Sequence, residues 1–251
     1  LIDASCPAIV SIQPAGGNAI AADTGEPHPH DDRPAPQPAG FLISADGYLV
    51  TSLTGLAGQE RARVLLNDGR AFDATLFGQD QLSNLALLKI EASGLPFLAF
   101  ADSHFPRAGA PGVVLASPNG SGCLAQAGMI SADFLAERAG LWSYVELRPA
   151  LDPDFAGAPF LDRDHHVVGI AGLRPGSDAD LGSPLLPAGT AARIVSELLR
   201  NDHASVNRFG IVADDLLPEL AARAGVDRQR GAVISQIREG SPAALASRKA
   251  G

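Results

Sequence analysis

The sequence predicts an all-β protein built from one or two β-barrels. Short apolar runs recur along the chain, each bounded by turn residues, which is strand rather than helix spacing. Gly and Pro are frequent, 27 and 19 of 251 residues, and both punctuate a chain with turns. One segment, 188–201, breaks the strand rhythm with helical spacing.

PAIVSIQPA (7–15) reads as the first strand. Residues 16–40 are rich in Gly, Pro and Asp and have little to bury, so they read as one long loop. GFLISADGYLVTS predicts two strands around Ala-Asp-Gly, and ARVLLNDGRAFDATLFGQD repeats the device around Asn-Asp-Gly. LALLKIEA (85–92) is a continuous apolar run and reads as a buried strand. SGLPFLAFADSHFPRAGAPG has the composition of a linker. Strands follow in VVLASP, AQAGMISADFLA, SYVELRP, APFLD and HVVGIAGL.

In the helix expected over 188–201, Ala192, Ile194, Val195, Leu198 and Leu199 recur at helical spacing, with Thr190 as cap. This helix closes a first unit, 1–201. A second unit, 205–251, reads as strand, helix, strand and a helical start at SPAALASR capped by Ser241. It is short for a complete small domain, so truncation or disorder beyond it is expected. The chain opens at LIDASCPAIVSIQ without Met or a basic-then-apolar leader, as a mature or trimmed chain would.

Apolar residues make up 46% of the chain and charged residues 19%, enough for an ordinary core. The net charge is −9 and Lys and Arg are scattered, which argues against a nucleic-acid groove. No apolar run reaches membrane-spanning length. Cys6 and Cys123 allow a disulfide in an oxidising compartment, but the plainer reading is two buried free thiols. No cofactor is expected, since there is no CxxC and no zinc-type Cys/His spacing. His28, His30, Asp31 and Asp32 in EPHPHDDR are weak metal candidates; with no third distant ligand, a polar loop is the simpler reading.

GFLISADGYLVTS, NDGRAFDATLFGQDQLSNLALLKI, GMISA and LDPDFAGAPFLDRDHHVVGI occur in the order and spacing of the HtrA/DegP family of serine proteases. The tail FGI…GAVISQIREGSPAALASRKAG is similar to the first half of the PDZ domain that follows the protease domain there. The resemblance covers nearly the whole chain. It implies a chymotrypsin/trypsin-like double β-barrel followed by a partial PDZ domain.

The family works with a Ser-His-Asp triad, in which a base takes the nucleophile's proton and a carboxylate steadies the base. On the resemblance, the histidine position holds Thr54, in TSLTGL, and the aspartate position, before LALLKI, holds Asn84. The serine position holds Ala156, in Asp154-Phe155-Ala156-Gly157-Ala158-Pro159. A threonine hydroxyl is no base near neutral pH. An amide carries no charge to support an imidazolium, and a methyl has no nucleophilic atom. The oxyanion-hole glycine position holds Asp154, whose carboxylate would repel a developing oxyanion and whose Cβ conflicts with a glycine-type backbone. Thr54, Asn84 and Ala156 are expected to cluster between the barrels.

Ser52 and Ser83 flank the substituted positions, and His165 and His166 lie nearest Ala156 in sequence, but the histidines read as exposed turn residues. In the tail, Phe209, Gly210 and Ile211 match the PDZ carboxylate-binding loop and the strand a peptide joins. The resemblance thus implies a catalytically inactive HtrA/DegP-like pseudoprotease that binds peptides or unfolded protein, or regulates an active HtrA-type protease. It further implies a bacterial periplasmic or cell-envelope location and a homotrimer. Two other readings stay open: an active HtrA-like serine endopeptidase with misplaced or mutated catalytic residues, and an architectural subunit without peptide binding.

Overall fold

The computed structural model describes residues 2–14, 38–81, 83–102, 107–118, 120, 122–136, 143–172, 182–201, 211–215, 232–237 and 243–244. Strands β1 (Ile9–Pro14), β2 (Ala39–Leu42), β3 (Tyr48–Ser52), β4 (Arg61–Leu66), β5 (Ala71–Asp80) and β6 (Leu85–Ile90) close into one barrel, in the order β1-β2-β3-β6-β5-β4. Strands β7 (Pro111–Ala116), β8 (Leu124–Ala136), β9 (Ser143–Arg148), β10 (Pro159–Leu161), β11 (Val167–Ala171) and β12 (Ser183–Pro187) close the second, in the order β10-β11-β12-β9-β8-β7. This is the double six-stranded barrel of the chymotrypsin/trypsin-like fold. Closure pairs every strand on both sides, so neither barrel presents a free edge along its wall.

The sequence pattern follows from three cores. In β4, Ala62, Val64 and Leu66 are buried while Arg61 and Arg63 face solvent, the alternation of a wall with one wet side. β6 is apolar almost throughout because both of its faces are covered. Its Ala86, Leu88 and Ile90 fill the first barrel, and Leu85 and Leu87 enter a central core between the barrels. β1 and β3 divide likewise, Ile9 and Val50 facing the central core, Val10 and Leu49 the barrel interior. Val114, Ile130, Val145, Leu147, Phe160 and Leu185 fill the second barrel.

Helix α2 (Ala188–Asn201) seals the central core with Ala191, Ile194, Val195 and Leu198. It starts directly after β12, so Thr190 lies within its first turn rather than capping it. Leu199 belongs to the same periodicity but is 42% exposed. β12 itself is a strand that SPLLP does not advertise, since Pro cannot donate to a ladder. The linker-like stretch runs across both barrels. Leu98 N–H donates to Leu42 O (2.9 Å), and Ala101 N–H to Val167 O (2.9 Å).

The expectation of two free thiols is corrected. Cys6 and Cys123 form a disulfide, with Cα atoms 5.9 Å apart across 117 residues of sequence. Short helix α1 (Ile2–Ser5) and a 3-10 turn (Cys6–Ala8) bring Cys6 to the β7–β8 turn. Asn67 braces the junction. Its Nδ2 donates to Cys6 Sγ (2.9 Å), and its Oδ1 accepts from Gly122 N–H (2.7 Å).

Beyond α2, β13 (Ile211–Asp215) and β14 (Ala232–Ile237) pair antiparallel, Ile211 opposite Ile237. The expected helix between them and the cap Ser241 fall outside the described residues, and of the helical start only 243–244 is described. The expected long loop ends earlier than residue 40, since Ala39 and Gly40 belong to β2; residues 15–37, with His28, His30, Asp31 and Asp32, fall outside the described residues. No helix among the described residues is long and apolar enough to cross a membrane.

Candidate active site

Thr54 and Asn84 sit together where β3 leaves the first barrel and β6 enters it. Leu53 N–H donates to Asn84 O (2.8 Å), which ties the two loops by their backbones. The side chains then form a closed polar triangle. Asn84 Nδ2 donates to Ser52 Oγ (3.0 Å) and to Thr54 Oγ1 (3.1 Å), and the two hydroxyls lie 2.8 Å apart. Asn84 Oδ1 accepts from Thr54 N–H (2.9 Å), the first donor of the 3-10 turn Thr54–Leu56. Asn84 holds φ at 56°, a left-handed backbone that asparagine tolerates better than most residues. Ser52, only 5% exposed, is the third corner, and its hydroxyl serves as a structural partner of Asn84 and Thr54.

Ala156 reaches the same region from the second barrel. Ala39 N–H, at the start of β2, donates to Ala156 O (2.9 Å). Its neighbour Gly157 has φ 81°, and a Cβ there would lie 2.5 Å from Ala39 O and 2.7 Å from Ser52 N. Only glycine allows that approach. Ala156 itself is 0% exposed, so its methyl is packed rather than presented.

Asp154 is the middle residue of a 3-10 turn, Pro153–Phe155, and is half-buried. Among the described residues the non-glycine positions with positive φ are Ala57, Asn84 and His165. Asp154 therefore avoids the glycine-type conformation expected to strain it. In that turn the Ala156 N–H donates to Pro153 O (3.1 Å), and the Gly157 N–H to Ala171 O (2.9 Å). Both amides are spent within the second barrel and its loop.

Ser83, His165 and His166 are committed elsewhere. Ser83 is 6% exposed and donates its hydroxyl to Asp80 Oδ2 (2.6 Å). His165 is half-buried and not simply an exposed turn residue. Its Nδ1 lies 3.0 Å from the buried Ser5 Oγ, which pins α1 to the β10–β11 turn. His166 is exposed, and its Nδ1 is 3.9 Å from Asp162 Oδ2. Ile211 opens β13, while Phe209 and Gly210 lie outside the described residues. Among the described residues no cluster of His, Cys, Asp and Glu could hold a metal.

A family model described as a trypsin-like peptidase domain matches residues 39–170, more than half of the chain. The chain belongs to the trypsin-like peptidase family. The matched span includes Thr54, Asn84, Asp154 and Ala156. Among curated trypsin-like relatives, a probable periplasmic serine endoprotease DegP-like from Brucella suis biovar 1 (strain 1330) is 31% identical over 231 residues, 90% of this chain and 45% of its own length. A probable periplasmic serine endoprotease DegP-like from Marinomonas sp. (strain MWYL1) is 34% identical over 216 residues, 85% of this chain and 46% of its own. These relatives support an HtrA-type member of the family. The chain spans about half the length of the curated relatives it matches. In fold it is similar to the HtrA-type protease AlgW with decapeptide, with a TM-score of 0.70 and 24% identity over 97% of this chain and 80% of that one.

Proposed function

We propose that this trypsin-like chain is an HtrA/DegP-type pseudoprotease, which holds peptides or unfolded protein, or regulates an active relative, without cutting. Ala156 carries the reading. At the position of the family nucleophile stands a fully buried methyl whose own N–H is bonded to Pro153 O. The family mechanism needs an exposed hydroxyl there, and an N–H free to meet the oxyanion. Thr54 and Asn84, at the base and carboxylate positions, are bonded to each other and to Ser52. That network orders two loops but offers neither a base nor a buried charge to support one.

On the same reading, Phe209, Gly210 and Ile211 belong to a PDZ-like unit that captures a peptide C-terminus by strand addition. The periplasmic names of the DegP-like relatives support a periplasmic or envelope location, and a homotrimer is part of the proposal.

The test is equilibrium binding of fluorescein-labelled, unfolded casein, followed by anisotropy and then by gel. Saturable binding with the casein left intact is expected. Casein fragments at a rate above buffer would overturn the reading in favour of an active endopeptidase. Folded protein with no binding would point to an architectural subunit.

A further inference from the structure

Next to the Ser52–Thr54–Asn84 triangle lies a half-open pocket of about 260 Å³. Leu53, the residue between Ser52 and Thr54, forms part of its floor together with Leu76 of β5. Gln59, Glu60, Gln79 and Gln81 line it, and all four are exposed. The two leucines pack against the first-barrel core, so the floor is apolar and supported. Among the described residues that line it, Glu60 carries the single ionisable side chain.

The lining selects among ligand classes. An anionic group would meet the Glu60 carboxylate. A wholly apolar group would cover glutamine amides without satisfying them, which is unfavourable. A cation on an aliphatic stem satisfies all parts. The stem lies on Leu53 and Leu76, and the charged head reaches Glu60 and the glutamine carbonyl oxygens. The net charge of −9 favours the approach of such a ligand over an acidic one.

We propose that this pocket receives a lysine or arginine side chain of a bound polypeptide. The inference rests on the peptide-holding reading and gives it a preference, for basic residues carried close to the Thr54 turn. The site is exposed, so a single ion pair contributes modestly and falls with salt.

The probe is Nα-acetyl-arginine methylamide, titrated into ¹⁵N-labelled protein and followed by NMR, with the norleucine analogue as the uncharged control. Shifts are expected at the side-chain amides of Gln59, Gln79 and Gln81 and at the backbone of Leu53, with little response to norleucine. Glu60→Gln should weaken the response by up to about fivefold, the upper end for an exposed pair. Glu60→Lys should abolish it while the rest of the spectrum shows the fold intact. Shifts that map elsewhere, match those of norleucine, or persist in Glu60→Lys overturn the proposal. The casein assay separates the two ideas. Casein bound equally by wild type and Glu60→Lys refutes the pocket's role and leaves the peptide-holding reading standing. The arginine probe bound with no casein bound refutes that reading and leaves the pocket.

Discussion

Asn84 combines two duties in one side chain. Its amide bonds Thr54 and Ser52, and its backbone sits at φ 56°. Alanine would lose the bonds and pay the left-handed penalty as well. Asn84→Ala should therefore lower stability by about 2–3 kcal/mol, read as a shift of the urea midpoint at unchanged slope. Asn84→Gly, which relieves the backbone, should cost clearly less. At Ala156, the proposed nucleophile position, restoring side chains should not restore the reaction. In Thr54→His, Asn84→Asp, Ala156→Ser, the new serine inherits a fully buried site, an N–H bonded to Pro153 O, and Asp154 in the preceding turn. Losing one oxyanion donor alone costs about 100-fold or more in turnover. The triple variant is expected to hydrolyse casein at least about 100-fold more slowly than an active trypsin-like peptidase. Full activity would show that neither the Pro153–Ala156 turn nor Asp154 closes the site.

At the scale of elements, α2 is the part that holds the two barrels to one core. Leu198 is fully buried, and a Cβ at Gly78 of β5 would come within 3.1 Å of its side chain. Leu198→Ala should destabilise by about 2–4 kcal/mol, since the rigid barrel walls can collapse only partly into the gap. A calorimetric scan measures it, and a loss below about 1 kcal/mol would show that α2 is not a structural strap. This helix was legible in the sequence because Ile194, Val195 and Leu198 repeat at its period. β6 was legible because its apolar run is continuous, although only the structure shows that alternate residues serve different cores. β12 was hidden by its prolines. Its ladder uses Leu185 and Leu186, opposite Ala171 and Ile170, while the Pro184 carbonyl accepts from Gly172 N–H. The positions of Thr54, Asn84 and Ala156 came from motif register. Their hydrogen bonds did not, because the Ser52 corner and the Pro153–Ala156 bond depend on side-chain direction and turn type, which spacing does not encode.

For the whole molecule, the disulfide is the covalent counterpart of α2. It joins the segment before β1 to the β7–β8 turn of the other barrel, and Ser5 with His165 adds a second tie. Sequence separation gave no hint of this pairing, because 117 residues of chain leave proximity undetermined. Closing so long a loop restricts the unfolded chain, so Cys6→Ser with Cys123→Ser should cost about 2–5 kcal/mol in denaturant unfolding. An unchanged midpoint would mean that the packing around Asn67 suffices without the bond.

On the proposed reading, this trypsin-like double barrel presents no working nucleophile. Intact-mass spectrometry after prolonged incubation with a serine-directed fluorophosphonate tests it most directly, with trypsin labelled in parallel as the positive control. The expected result is an unmodified chain. Stoichiometric addition of one probe, mapped to any serine, would contradict the claim.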